Sequence, residues 1–272
     1  MIIDGHAHAS GEFSEPEKLI SILDKLGVDK IVLCPGSLEK DAIPDIPKIS
    51  YSPISKIRHL IFLANKYYLK HEVPDHYFEQ GNELINSFRE NHPDRIIQFL
   101  WVNPSNEDTI NKIKEALDNW EIKGIKLHQC LSSFSNDGSG MRKLAEIARI
   151  NNLPIFIHIF SREEVRKLVN LAREFPKTNF IIAHFIGMEI AKKYGKDLKN
   201  LYFDISTYFI ISKRRIRYAM KHFGANRVIM GSDSPFGERN LENNIQKIRK
   251  MNISTKEKEL ILGKNIANLL NL

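Results

Sequence analysis

The sequence predicts a single (β/α)8 TIM barrel, and three observations support this fold class. Short β-rich runs alternate with amphipathic stretches along almost the whole chain of 272 residues. The β-rich runs number eight, as in a closed barrel of this type. Hydrophobic residues make up 42% of the chain and are spread evenly, so we expect one domain over residues 1–272.

The predicted strands are short and apolar. Their bounds are 2–4, 30–34, 96–102, 124–128, 154–158, 179–184, 201–204 and 227–230. Amphipathic patterns predict helices over 16–26, 108–120, 140–151, 162–175, 187–196, 211–223 and 240–251. A strand followed by a helix, repeated along the chain, favours a barrel over an open sheet.

One connection departs from this rhythm. Residues 35–93 are too many for a single crossover, and the segment contains several prolines and two helix-like stretches, 54–70 and 76–90. We therefore expect a helical lid inserted after the second strand. At the other end of the chain, residues 256–270 predict an extra helix packed over the outside of the barrel.

Several predicted strands end in a side chain that can bind a metal or move a proton. These side chains are His6, His8, Lys126, His128, His158, His184 and Asp233. In a barrel the C-terminal ends of all strands meet on the face that carries the active site. Although a single histidine at a strand end is more often a polar cap, endings in the same register on five strands predict a shared site.

The first strand indicates a metal site. Side chains alternate along a strand, so His6 and His8 point the same way. Three imidazoles and a carboxylate suit zinc, with manganese, iron or nickel as alternatives, and leave a position for water. Asp233 has oxygens for both metal binding and proton transfer, although an Asp among Gly, Ser and Pro is also typical of a turn.

The remaining polar residues leave alternatives open. His184 is either a second-metal ligand or an acid/base group. Lys126 shares a strand face with His128, and an inward lysine must be paired, bind an anionic substrate or be carboxylated as a metal bridge. We expect Lys126 and His128 to contact substrate or metal rather than solvent.

At two further places a structural and a functional interpretation both fit the residues. Arg162 follows the fifth strand and suits a substrate carboxylate, although an arginine in a first helical turn is the simpler interpretation. For Asp204 and Ser206 a structural hydrogen bond is as good an explanation as contact with a ligand.

Charge, cysteine content and the absence of long apolar runs limit the kinds of protein that this sequence can be. The formal charge of +7 weakly favours anionic ligands, but a solvated lysine-rich surface explains it about as well. Cys34 and Cys130 have no CxxC spacing, so we expect buried thiols. No stretch approaches the roughly 18 apolar residues of a membrane span, and the first residues lack the basic leader of a signal peptide. We expect a cytoplasmic protein.

The motifs at the strand ends resemble those of the amidohydrolase superfamily, in the amidohydrolase-related branch that includes decarboxylases and lactonases. They are DGHAH (4–8), GIKLH (124–128), PIFIH (154–158), AHFIG (183–187), YFDIS (202–206) and GSDSPF (231–236). The resemblance runs from residue 2 to about residue 269, apart from the inserted segment.

This resemblance implies a ligand set and a cofactor. His6, His8, His158 and Asp233 are expected to hold a divalent metal, with zinc favoured. His184 is expected to be a further ligand or the acid/base group. Lys126 stands where dinuclear relatives have a bridging carboxylated lysine or glutamate, so that both one ion and two ions remain open.

We therefore expect a metal-dependent hydrolase, in which metal-activated water attacks an amide, lactone or ester carbonyl of a small molecule. In this hypothesis Asp233 moves the proton, while His184 or Lys126 steadies the developing negative charge. The substrate is a small molecule for which the basic surface weakly favours an anion, and a homodimer is a plausible assembly.

The alternatives use the same scaffold. A non-oxidative decarboxylase or hydratase of a small carboxylic acid uses the same ligands. A metal-dependent nuclease suits the pI of about 9.2, but KLH (126–128) replaces an acidic fourth-strand motif, and no basic run is interleaved with stacking aromatics. A barrel that only binds metal would be expected to lose some of these residues, and all are present.

Overall fold

A computed structural model describes residues 1–36, 76–235 and 239–272, with side chains omitted for 76–79. Its eight strands form one parallel sheet in sequence order. They are β1 (Ile3–Ala9), β2 (Lys30–Pro35), β3 (Ile96–Trp101), β4 (Ile122–His128), β5 (Ile155–His158), β6 (Phe180–Ile182), β7 (Leu201–Asp204) and β8 (Val228–Ile229). The predicted (β/α)8 barrel is confirmed.

Backbone hydrogen bonds join the last strand to the first. Gly5 N–H donates to Met230 O (2.9 Å), and His8 N–H donates to Ser234 O (2.8 Å). These bonds bring the segment after β8 alongside the C-terminal half of β1. The first strand and the segment after the last strand therefore meet at the predicted site.

The α-helices lie between successive strands or follow the last strand. They are α1 (Pro16–Leu26), α2 (His76–Asn91), α3 (Thr109–Asn119), α4 (Ser139–Ile150), α5 (Arg162–Glu174), α6 (Met188–Gly195), α7 (Lys213–Phe223), α8 (Asn240–Arg249), α9 (Thr255–Glu259) and α10 (Asn265–Leu270). A π-helical turn, Leu260–Lys264, joins the last two. None of the helices in the described ranges is long and apolar enough to cross a membrane.

Local sequence signals set several helix ends. Pro16 occupies the first turn of α1, where its missing N–H costs nothing, and Gly27 ends this helix with φ +65°. Ser212 and Ser254 accept backbone hydrogen bonds at the starts of α7 and α9, and Glu257 completes a capping box with Ser254. These ends agree with the predicted bounds to within a few residues.

The connection after β2 contains a barrel helix. α2 supplies Ile85 and Phe88 to the core between helices and strands. Its Asn82 side chain donates to Trp101 O and accepts from Trp101 N–H, both at 2.8 Å. The predicted helix over 76–90 is therefore the second helix of the barrel, while the predicted helix over 54–70 lies outside the described residues.

The C-terminal helix is present but lies elsewhere than expected. Ile266, Leu269 and Leu270 of α10 join the cluster of side chains that fills the barrel, with strand residues such as Ile3 and Phe99. Gly263 packs against the backbone of Met1 and Ile3, at the N-terminal end of β1. The helix therefore covers the amino end of the barrel, opposite the predicted site, because apolar residues inside the barrel need cover there.

Candidate metal centre

β1 brings His6 and His8 together at the barrel's carboxyl end. Their Nε2 atoms are 3.2 Å apart, and both residues are buried. His8 Nδ1–H donates to Pro35 O at 2.7 Å, and His6 Nδ1 lies 3.1 Å from Ser206 Oγ. Burial, with the positive charge of Lys126, holds the pKa of both imidazoles well below the usual value. Both histidines are therefore neutral, and their Nε2 lone pairs face one another.

Asp233 faces this pair from the segment after β8. Its Oδ1 lies 3.7 Å from His6 Nε2 and 3.6 Å from His8 Nε2, while Oδ2 accepts from Thr207 Oγ1 at 2.8 Å. Asp233 N–H donates to His6 O at 2.7 Å, and its backbone is left-handed with φ +60°. Burial raises the pKa of its carboxyl group. The two oxygens therefore have different surroundings.

A second carboxylate joins the two segments that carry this group. Asp4 accepts from Ser232 N–H (2.8 Å) and Ser232 Oγ–H (2.6 Å), and burial raises its pKa to about 7. Gly231 is needed beside it, since a Cβ there would lie 2.4 Å from Asp204 Oδ1 and 2.8 Å from His6 Cβ. These contacts fix the approach of Asp233 to β1.

His184 lies next to the group with its ring anchored on one side. Its Nδ1–H donates to Ser206 O at 2.7 Å, and its Nε2 lies 3.9 Å from Asp233 Oδ2. The backbone of His184 is left-handed with φ +53°, just after β6 ends. This bend turns the ring toward Asp233.

His158, at the end of β5, lies beside His184 rather than in the tightest group. Its Nδ1 is 3.2 Å from His184 Nε2, and its ring stacks on His128 with centroids 4.0 Å apart. Among the described residues, His6, His8 and Asp233 are the three whose ligand atoms all lie within 4.8 Å of one another. The structure thus places the fourth predicted ligand, His158, at the edge of this group.

Lys126 points into the barrel and is fully buried. Its Nζ lies 2.6 Å from His6 Nε2 and 4.5 Å from the centroid of the Phe156 ring. Burial lowers the pKa of this amine, against the opposing effect of Asp233 and Asp204. Lys126 is therefore a buried, inward-facing amine at the centre of the site.

His128 forms part of an aromatic wall. It stacks between Trp101, at a centroid distance of 5.8 Å, and His158. Its Nδ1 accepts from Cys130 N–H at 3.2 Å, and burial holds its pKa well below the usual value. His128 is thus a neutral imidazole with its proton on Nε2.

Arg162 is not brought to these groups. It is exposed, and it is the first residue of α5, directly after the N-cap Ser161. Both cysteines are buried thiols, as expected. The sequence did not single out Trp101 or Thr207, and it left Asp204 and Ser206 undecided. The YFDIS motif (202–206), which overlaps the end of β7, was the one signal for these last two.

The donor set fits a divalent metal ion. His6 and His8 are neutral and each uses Nδ1 for a protein contact, which leaves Nε2 as the ligand atom. Asp233 adds Oδ1, and its other oxygen is held by Thr207. Two imidazole nitrogens and one carboxylate oxygen suit zinc, manganese or iron and leave coordination positions for water or substrate.

Comparison with known proteins identifies the family. The Amidohydro_2 model, described as Amidohydrolase, matches residues 68–272. The chain belongs to the amidohydrolase family. This confirms the predicted class of the protein, a metal-dependent hydrolase of that superfamily. The family and the His6–His8–Asp233 group together support a divalent metal cofactor. The comparison with the curated proteins gave no match.

Solved structures share the fold of this amidohydrolase at low sequence identity. A dihydroxybenzoic acid decarboxylase from Polaromonas sp. JS666, with bound manganese and the inhibitor 2-nitroresorcinol, has a TM-score of 0.72 at 13% identity, covering 100% of this chain and 97% of that one. A probable 2-pyrone-4,6-dicarboxylic acid hydrolase from Acinetobacter baumannii, with citric acid bound, has 0.67 at 17%, covering 100% and 99%. A 4-oxalomesaconate hydratase from Rhodopseudomonas palustris has 0.68 at 14%, covering 100% and 96%.

Proposed function

We propose that this amidohydrolase hydrolyses an amide, lactone or ester bond of a small carboxylic acid, with zinc as its metal. The observation that carries the proposal is the convergence of neutral His6 and His8 with Asp233 on the active-site face of the barrel. His158 is the fourth proposed ligand. A bound divalent metal lowers the pKa of water from about 15.7 toward 7 and polarises a carbonyl oxygen.

Asp233 is proposed to move the proton. Its Oδ1 faces the two histidines, so Oδ2 is the oxygen left to accept a proton from water. The raised pKa of this buried carboxyl group favours proton uptake, and Thr207 holds Oδ2 in place. From Oδ2 the proton passes to the leaving group.

His184 and Lys126 are proposed to stabilise negative charge that develops on the substrate. His184 has its Nδ1–H bound to Ser206 O, so that the lone pair of Nε2 faces Asp233 and the site. His184 would first take up a proton on Nε2 and could then donate it to a negatively charged substrate atom. Lys126 carries donors on Nζ and is buried, where a cation attracts an anion more strongly than in water. We assign substrate contact to His128 and, from the rim, to Arg162.

The proposed substrate class follows from this charge. An inward lysine is costly to bury in its charged form without an anionic partner, and we propose that a substrate carboxylate supplies one. The fold relatives act on or bind acids, among them dihydroxybenzoic acid, a pyrone dicarboxylic acid and citric acid. We propose further that the enzyme is cytoplasmic, that nucleic acid is not its substrate, that it holds one or two metal ions and that it forms a homodimer.

The test is hydrolysis of a substrate panel by zinc-loaded protein, with product analysis. The panel contains lactones, amides and esters that carry a carboxylate. It also contains a phosphodiester, which tests for nuclease activity. We expect turnover of a carbonyl substrate and loss of about 1,000-fold in kcat for Asp233→Asn. Asp197→Asn is the matched control, because Asp197 is an exposed surface carboxylate paired with Arg173. Turnover of the phosphodiester alone would refute the proposal.

Non-oxidative decarboxylation or hydration of a small carboxylic acid is the second candidate. The observation that favours it is the buried amine of Lys126 beside His6, which in its protonated form suits a carboxylate held within the site itself. Incubation with aromatic and unsaturated acids separates the two functions. Release of carbon dioxide, or addition of water to a carbon–carbon double bond, with no hydrolysis of the panel would favour this candidate.

A further inference from the structure

Ser206 and Thr207, which follow β7, contact side chains from three other parts of the barrel. Ser206 is fully buried, and its Oγ lies 3.1 Å from His6 Nδ1 and 3.2 Å from His184 Nδ1. Its carbonyl oxygen accepts the Nδ1–H of His184 at 2.7 Å. The next residue, Thr207, donates to Asp233 Oδ2. One dipeptide thus reaches β1, the segment after β6 and the segment after β8.

The direction of each hydrogen bond follows from the number of protons available. The Ser206 hydroxyl has one proton, and it donates this proton to Asp204 Oδ2. Its remaining lone pairs can only accept, so His6 Nδ1 is the donor in the 3.1 Å contact. His6 therefore carries its proton on Nδ1 and a lone pair on Nε2.

A second contact agrees with this tautomer. Lys126 Nζ lies 2.6 Å from His6 Nε2, and the lysine can donate one of its protons to the lone pair on that nitrogen.

Asp204 fixes the Ser206 hydroxyl in turn. This carboxylate is fully buried and accepts from Ser206 N–H at 3.1 Å and from His184 N–H at 3.4 Å. Its Oδ2 lies 3.6 Å from His6 Nδ1, which is beyond hydrogen-bonding distance. The Ser206 hydroxyl bridges this gap, so that the chain of contacts runs from Asp204 through Ser206 to His6.

We propose that Ser206 is a positioning residue that sets the Nδ1-protonated tautomer and ring orientation of His6 and, through its carbonyl, of His184. The proposal rests on the proposed function only in taking His6 as a ligand and His184 as a proton-handling group. Ser206 itself contributes no ligand atom. Partners of this kind, which hydrogen-bond the second nitrogen of a ligand histidine, typically change metal affinity 10- to 100-fold when they are removed.

Zinc affinity tests the proposal. We expect Ser206→Ala to bind zinc at least 10-fold more weakly than the wild-type protein in competition with a chelating dye. The matched control is Thr178→Val, because Thr178 is another buried hydroxyl, which donates to Ala145 O at 2.9 Å away from the site. The control should lose thermal stability without a change in zinc affinity. Equal zinc affinity of Ser206→Ala and wild type would overturn the proposal.

Nitrogen-15 NMR of the metal-free wild-type protein is a second test, which does not depend on a variant that folds. We expect His6 and His184 to show a protonated Nδ1 and an unprotonated Nε2. A protonated Nε2 on His6 would overturn the proposal. Failure to hydrolyse any member of the substrate panel would instead count against the proposed function and would leave both of these measurements intact.

Discussion

The absence of a side chain at one residue allows the segment that carries Asp233 to lie close to β1. Gly231 has no side chain, and a Cβ at this residue would lie within 2.8 Å of Asp204 Oδ1 and of His6 Cβ. Asp4 and Ser232 hold the same region by two short hydrogen bonds. The distance between Asp233 and the two histidines therefore depends on a glycine that itself binds nothing.

We predict that Gly231→Ala lowers zinc affinity by at least 10-fold, because Asp204 or His6 must move to admit the methyl group. The measurement is dye competition, combined with urea unfolding. Gly27→Ala is the control: nothing lies within 4 Å of its Cβ, and φ is +65°, so it should cost about 1 kcal/mol of stability with zinc affinity unchanged. Unchanged zinc affinity in Gly231→Ala would contradict this view of the packing.

One helix anchors the two segments that follow β7 and β8. Asn244 of α8 donates to Gly231 O at 2.8 Å, and Asn240 Oδ1 accepts from Tyr208 N–H at 3.3 Å. Lys247 donates to Tyr208 O (2.6 Å) and Ile211 O (2.7 Å). Helix α8 therefore holds the segments that carry Ser206, Thr207 and Asp233, although none of its own residues belongs to the metal centre described above.

Lys247 gives this helix a pH-dependent effect on stability. Burial lowers the pKa of Lys247 from 10.5 to about 7 in the folded protein. Between about pH 7 and 10.5 the unfolded chain holds a proton that the folded chain has lost, so the free energy of unfolding rises with pH in this window. We predict that the stability of wild type relative to Lys247→Met rises from pH 7 to pH 9, by at most about 1.4 kcal/mol per pH unit.

Urea unfolding of both proteins at pH 7, 8 and 9 measures this difference. Lys258→Met is the control, because this lysine likewise donates to a backbone oxygen, Arg249 O, but at the surface. A stability difference between wild type and Lys247→Met that stays constant across these pH values would contradict the prediction.

Across the whole molecule, the placement of polar residues at strand ends could be predicted, because alternation along a strand and the common face of a barrel are general rules. The contacts of Ser206 could not, since they join side chains 200 residues apart in sequence. The bend that places His184 beside Asp233 depends on a left-handed residue that no pattern indicated. Likewise, amphipathicity predicted the C-terminal helix but not which surface it covers.

Helix α10 covers the amino end of the barrel, opposite the metal centre. We therefore expect its packing to affect stability without affecting metal binding. Ile266 of α10 is 1% exposed within the cluster that fills the barrel. We predict that Ile266→Ala lowers the free energy of unfolding by about 3 kcal/mol with the zinc affinity of the folded protein retained. Leu272→Ala, at an exposed position, should change stability little. A large loss of zinc affinity in Ile266→Ala would show that the two ends of the barrel are coupled.

The central claim is that residues from the two ends of the chain gather around one divalent ion. Anomalous diffraction from crystals soaked with zinc tests it most directly. We predict a peak bonded to His6 Nε2, His8 Nε2 and Asp233 Oδ1, the atoms that already converge in the structure. A protein that takes up zinc only at other residues, with these three side chains unbound, would contradict the account.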